Sequence, residues 1–291
     1  MQHEIKKWRY TLEHTIELYI SMGKNFRFVG FFLLLFPLLG QAQKGYELGG
    51  WLGLSQYYGD LNTSINIKKP GIAGGLNARY NFNNRLSTKA SLNYGRIAAD
   101  DDLSNNNFER RRNLDFKSNI FDFTAVGEFN FFEYKHGSKL EFWTPYVGLG
   151  FSVFRYNPTT KLGDTKYRLR DFGTEGQAVG EEYLLFSGGA TLTGGVKWDL
   201  NRDWSLNAEI SLRKLFTDYI DDVSTVYTDK NTLRTRRGDT AVLLSDKSVD
   251  SAISTPGSQR GNSKDNDTYV FIGISIMRYF GDIPCPKVSK N

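Results

Sequence analysis

The chain has 291 residues, 14% of them aromatic, with 29 glycines, 7 prolines and a formal net charge of +5. A mean hydropathy of −0.45 excludes a bundle of membrane-spanning helices but not a barrel, in which lipid-facing apolar residues alternate with polar ones. The charge is scattered through polar stretches without a basic stripe interleaved with aromatics, so no nucleic-acid partner is expected. A single cysteine, Cys285, leaves no internal disulfide. Of the three histidines, His3 and His14 fall in the leader described next, which leaves too few for a histidine metal site or a Ser-His-Asp triad.

Lys24 and Arg27 precede an apolar run from Phe28 to Leu39, and Gly40 and Ala42 place small residues where a signal peptidase reads them. The run is too short to cross a bilayer as a helix. Residues 1–42 therefore read as a secretory signal region that is removed, with the mature chain beginning at Gln43. Met22 would suit a translation start; otherwise the polar residues 1–21 form a long leading segment.

Beyond Gln43 the hydrophobic pattern has period two, the signature of strands with one apolar face. The first strand, Tyr46 to Tyr57, sets Leu48, Leu52 and Leu54 against Glu47 and Ser55. The second sets Ile72, Leu76 and Tyr80 against Asn77 and Arg79, and the third Leu86, Leu92 and Tyr94 against Lys89, Ser91 and Asn93. The fourth sets Phe121, Phe123 and Phe129 against Asp122, Thr124 and Glu128; the fifth sets Val147, Leu149 and Phe151 against Gly148 and Ser152. The sixth carries Lys197 opposite Val196 and Trp198, the seventh Glu209 and Arg213 opposite Ile210 and Leu212, and the eighth Ser275 opposite Ile274 and Ile276.

Each strand has about ten residues, enough to cross a bilayer when tilted. The connections after the second and sixth strands are tight and the one after the fourth moderate, around Lys135-His136-Gly137; those after the odd strands are long. Short periplasmic turns and long outer loops give this asymmetry. The expected fold is all-β: an eight-stranded antiparallel transmembrane barrel of the small OmpA-like kind over residues 43–280, with long extracellular loops. Strand parity puts both termini in the periplasm, including a tail over 281–291. A soluble sandwich or lipocalin-like barrel is the rival, but its interior would be the apolar face. Here the second face carries Glu47, Arg79, Lys89, Asp122, Glu128, Lys197, Glu209 and Arg213, which can pair in a lumen. Tyr80, Phe82, Phe131, Trp198, Trp204, Tyr279 and Phe280 suit interfacial girdles.

Paired carboxylates on one face could do acid–base work. An eight-stranded interior, however, is just wide enough for side chains, so a balanced charge network that fills it is the stronger reading, and it also argues against a wide pore. No enzyme activity and no cofactor are expected. The long loops hold three unusual runs. Tyr57 to Leu61 includes Tyr58, Gly59 and Asp60; Asp171 to Gln177 includes Thr174, Glu175 and Gly176; Phe216 to Thr225 includes Asp218, Asp221 and Asp222. The three aspartates of the last run could hold Ca²⁺, but EF-hand spacing is absent and packing at the loop base is favoured over a metal site. The polar stretch 228–267 is expected to be mobile.

These runs, with the tail Phe280 to Lys287, resemble the PorG family, outer-membrane barrels of the type IX secretion system, over essentially the whole mature chain. The resemblance implies a structural subunit of protein-export machinery that associates with the periplasmic ring of PorK-type lipoprotein and PorN and anchors it at the outer membrane; in some bacteria the system also serves gliding motility. Partners so implied are those ring proteins and outer-membrane lipid. The tail would present Asp282, Pro284, Cys285, Pro286 and Lys287 to the ring, the prolines holding the backbone extended. The competing readings are a general small barrel, porin-like or an adhesin, and, less favoured, an enzyme of the lumen or loops.

Overall fold

The computed structural model describes residues 44–64, 67–250 and 252–281. The signal region and the tail residues from Asp282 to Asn291, Cys285 among them, lie outside the described residues.

Eight strands form a closed antiparallel barrel: β1 (Gly45–Tyr58), β2 (Gly71–Asn81), β3 (Leu86–Asp100), β4 (Asp115–Asn130), β5 (Trp143–Arg155), β8 (Phe186–Asp199), β9 (Trp204–Leu215) and β10 (Thr268–Gly281). A short hairpin, β6 (Thr159–Leu162) and β7 (Thr165–Arg168), hangs from β4 through the pair Lys117↔Thr159. Each barrel strand pairs with its neighbour in sequence, and β1 closes on β10 from Gly45↔Gly281 to Tyr58↔Thr268. Closure removes both sheet edges, which a bilayer, offering no water to unpaired backbone groups, requires. The barrel's two ends of chain therefore meet at the short-turn end.

The period-two pattern becomes an inside and an outside. On β4 every second residue from Phe116 to Asn130 is buried and every intervening one exposed. Around the middle of the barrel the exposed ones are apolar: Leu52 is 75%, Ile72 77% and Phe151 68% accessible. A contiguous band of such side chains is too large for a soluble surface and suits hydrocarbon, which rules out the sandwich alternative. Tyr279 departs from its expected place in the girdle. It sits on the inward parity of β10, is buried, and stacks on His136 at 4.2 Å.

The strands outrun the expected ten residues, chiefly at the long-loop end. β3 reaches Asp100 and β4 starts at Asp115. The outward positions of this extension are polar, with Arg96, Lys117 and Asn119 exposed, so it stands clear of the apolar band. The stretch 228–267 is folded rather than mobile. It contains α2 (Lys230–Arg237), which Asp229 caps by accepting from the Thr232 amide, and α3 (Asp239–Ser245); both follow α1 (Asn107–Arg112) of the second long loop. Leu233, Ala241 and Leu244 are buried within it, whereas Leu243 and Val249 stay exposed; the buried three give a core to a segment whose composition reads as polar.

Ile274 faces outward in the middle of β10. Ile274→Arg should cost roughly 2–4 kcal/mol at a bilayer midplane. Equilibrium unfolding of the refolded barrel in lipid vesicles checks this; unchanged stability would mean that this face does not meet hydrocarbon.

Candidate functional site

All eight charged residues expected in the lumen are there. Arg79 bridges two strands' carboxylates, with Nη1 2.9 Å from Glu47 and Nε 2.8 Å from Glu128. Glu128 also accepts from Lys197 Nζ at 2.8 Å and the Ser87 hydroxyl at 3.0 Å, with Lys89 Nζ at 3.4 Å. Lys89 and the Tyr146 hydroxyl both reach Glu209, and Lys197 lies 4.7 Å above the Tyr146 ring. Nearer the long-loop end, Arg213 Nε is 3.1 Å from Asp122, which also accepts from Tyr269 at 2.5 Å and Asn93 at 2.6 Å. Between the two sets lies a cavity of about 30 Å³ lined by Lys89, Glu209 and Arg213 among others. That volume suits a water or two and no larger solute. The network fills the interior and cross-links five of the strands, β1, β2, β3, β4 and β8 meeting through Arg79, Glu128 and Lys197 alone.

His136, in the turn between β4 and β5, closes the short-turn end. Its Nδ1 is 3.0 Å from Asp199 and its Nε2 3.3 Å from Glu47. Burial alone would lower its pKa, but Asp199 and Glu47 outweigh it and raise the value to about 9, so the ring is cationic at neutral pH. Sequence reading placed His136 only in a turn, because its partners come from β1 and the end of β8.

At the long-loop end the three unusual runs converge. The Tyr57 hydroxyl lies within hydrogen-bond distance of two carboxyls, Asp221 at 2.5 Å and Asp267 at 2.9 Å. Asp60 accepts from the Asn262 amide at 2.9 Å, while Asp221 and Asp267 accept from the amides of Val223 and Ile220. Glu175 accepts from the Ser224 amide at 2.9 Å, the Thr225 hydroxyl at 2.6 Å and Arg260 Nη1 at 3.0 Å. Thr174 donates to Asp222 at 2.5 Å. Gly59 has to be glycine, since a Cβ there would lie 2.0 Å from an Asp267 oxygen; Gly176, at φ +88°, would meet Thr228 at 2.5 Å. Tyr58 precedes this turn and is half-buried. Four residues that sequence reading passed over complete the cluster: Asp101, Arg112, Arg260 and Asp267. Arg112 pairs with Asp101 at 2.7 Å and donates to the carbonyls of Asp60 and Arg260. Charges in loops read as solvated, and nothing in their spacing signals burial. Among the described residues no group of acids, histidines or cysteines is arranged to hold a metal ion. Asp221 and Asp222 turn to different protein partners, Asp221 to the Tyr57 hydroxyl and Asp222 to Thr174 and Tyr183.

The cluster is rich in acid. Burial raises the Asp218 carboxyl to about 7, with Asp60 and Glu175 adding repulsion against the easing effect of the Ser224 hydroxyl and Lys214. Burial likewise raises Asp60 to about 6 against the help of the Asn262 amide and Arg112, and Asp222 to about 6 despite Arg260. Asp221 and Asp267, fully buried beside one another, lie well above the usual carboxylate range.

Residues 24–240 match the model of a family described as "Domain of unknown function (DUF6089)". No curated protein matches the sequence. Among solved structures, the outer membrane protein OprG from Pseudomonas aeruginosa is 10% identical with a TM-score of 0.42, the match covering 83% of this chain and 98% of that one. Neisserial surface protein A is 11% identical with a TM-score of 0.41, over 81% and 97% of the two chains. Ail, the attachment invasion locus protein of Yersinia pestis, is 10% identical with a TM-score of 0.41, over 82% and 99%. The fold assignment rests on the strand register above.

Two outcomes follow from this geometry. Arg213 is the cation held by Asp122, so Arg213→Met should destabilise the barrel by about 3–5 kcal/mol, the usual effect of stranding one member of a buried pair. The shift would be read in the temperature at which the barrel loses its compact gel mobility, and an unshifted transition would contradict the network's structural role. The raised carboxyls set the second. Their unfolded values lie near 3.9, so from about pH 4 to pH 7 the folded cluster binds more protons than the unfolded loops, and its stability falls as pH rises through that window. Amide exchange over 217–267, corrected for intrinsic rates, should show more protection at pH 5 than at pH 8, with the difference reduced in Asp218→Asn. Equal protection at both values would remove the acid cluster as a determinant of loop stability.

Proposed function

The chain belongs to the DUF6089 family, and from that footing we propose that it is a structural outer-membrane subunit of the type IX secretion machinery, which associates with and anchors the periplasmic ring of PorK- and PorN-type proteins. The observation that carries this reading is the solid interior: the lumen is packed with paired charge along its length, so the barrel is built to hold position rather than to conduct. This weighs against the porin-like alternative. The resemblance of the runs at 57–61, 173–177 and 218–225 supports the same reading, and those runs belong to one packed cluster rather than to separate loops. With the long loops outside, the short-turn end faces the periplasm, and the tail after Gly281 leaves the barrel on the side of the ring.

An affinity-tagged full-length chain should recover PorK- and PorN-type proteins from gently solubilised membranes, and a deletion strain should lose export of cargo bearing the C-terminal signal domain. Truncation after Phe280 should weaken recovery of the ring while leaving the barrel folded. If Cys285 bonds to the lipoprotein, a higher-mass species on non-reducing gels should vanish in Cys285→Ser. Normal export and no ring recovery would favour an adhesin or another general barrel function.

A further inference from the structure

The lipid-facing flank of β2 to β8 carries a shallow groove of about 470 Å³. One cross-strand row runs along its long-loop edge in register: Gly74, Tyr94, Phe121, Arg155 and Phe186. The row below it, one pleat nearer the middle of the band, is apolar, with Leu92 paired to Phe123. Gly74 leaves the outer face without a side chain at one end, and Gly188 does the same beside Val153 at the other. At about 4.8 Å per strand, five strands make the floor about 19 Å across. That is wide enough for several acyl chains side by side and wider than a single chain needs.

The edge of this floor is cationic. Arg155 stands in the aromatic row itself, between Phe121 and Phe186. Arg96 and Lys117 follow on the outward parity of β3 and β4, toward the long loops. All three are exposed, and none forms an ion pair with a carboxylate among the described residues; Arg96 meets only the Asn119 amide oxygen, at 3.4 Å. The acids nearest above them are already engaged: Asp115 by Lys247 and the Thr160 hydroxyl, Asp100 by Lys69. Cations at the headgroup level over an apolar floor match an amphiphile with anionic groups at its head and several chains beneath.

We propose that this flank binds a phosphorylated, multiply acylated glycolipid of the outer leaflet, its phosphates on Arg96, Lys117 and Arg155 and its chains on the groove. The binding rests on the outer-membrane orientation above but not on any role in secretion, and it is read in vitro on the full chain alone.

The test is native mass spectrometry of the refolded full-length barrel released from detergent with bisphosphorylated lipid A, its dephosphorylated form, phosphatidylglycerol or phosphatidylcholine. Lipid A should be retained in preference to the other three. Arg96→Gln, Lys117→Gln and Arg155→Gln should each lower retention on the order of fivefold, whereas Lys214→Gln, an exposed cation on β9 away from the groove, should not. All four variants alter exposed side chains, and compact gel mobility confirms that each has folded. Equal retention of dephosphorylated lipid A, or the same loss with Lys214→Gln, would overturn the site. Equal retention of phosphatidylglycerol would overturn the glycolipid as its occupant.

Discussion

Glu128 of β4 holds cations from three other strands: Arg79 of β2, Lys89 of β3 and Lys197 of β8. A carboxylate in a filled interior has no water to fall back on, so its burial is tolerable only if those partners arrive together. They arrive together only when the sheet has closed in one register. A slip of a single residue would turn Glu128 toward lipid and its partners with it. The same contacts that satisfy the charge therefore specify the barrel and occupy its lumen.

The long-loop end follows a different rule. The lumen's charges balance, whereas the loop cluster gathers many carboxyls around two buried arginines, Arg112 and Arg260. Part of the deficit is met by backbone amides and hydroxyls, as at Asp60, Glu175 and Asp221. The remainder is left as repulsion and burial that raise Asp218 and Asp60 and favour their protonated forms as pH falls. A barrel fixed by ion pairs thus carries a cap whose stability is tied to protonation. The lower part of the molecule is the lipid-facing barrel, and the cap is a folded face at its long-loop end.

The fold was legible because a membrane barrel imposes the simplest of patterns. Alternation along each strand separated Leu52 from Glu47 and Ile210 from Glu209, and alternating connection lengths gave the topology. The lumen residues could be listed for the same reason, since any charge on the inward parity of a closed barrel has nowhere else to go. The loop motifs were visible as unusual runs, but their meeting was not. Tyr57 bonds Asp221 and Asp267, residues far along the chain that share no periodicity with it. Tyr279 shows the limit at close range, where an aromatic near a strand end read as girdle while its parity turned it inward onto His136.

What the sequence determined by itself was every property fixed by parity and by local chemistry: the strands, their inward and outward faces, the charge set of the interior, and the end at which the long loops lie. The tertiary structure decided who pairs with whom. Alternation dictates that Arg79 points inward, but only closure of the sheet brings it between Glu47 and Glu128. Polar composition argues for mobile loops, but only their mutual packing buries Leu244 and brings Arg260 onto the Ser245 carbonyl, turning 228–267 into a folded cap. The lipid-facing groove likewise exists only as a surface, made when residues from five strands line up in one row. Patterns of short range are written along the chain; partners of long range are selected when backbone closure leaves each buried polar group a single place to bond.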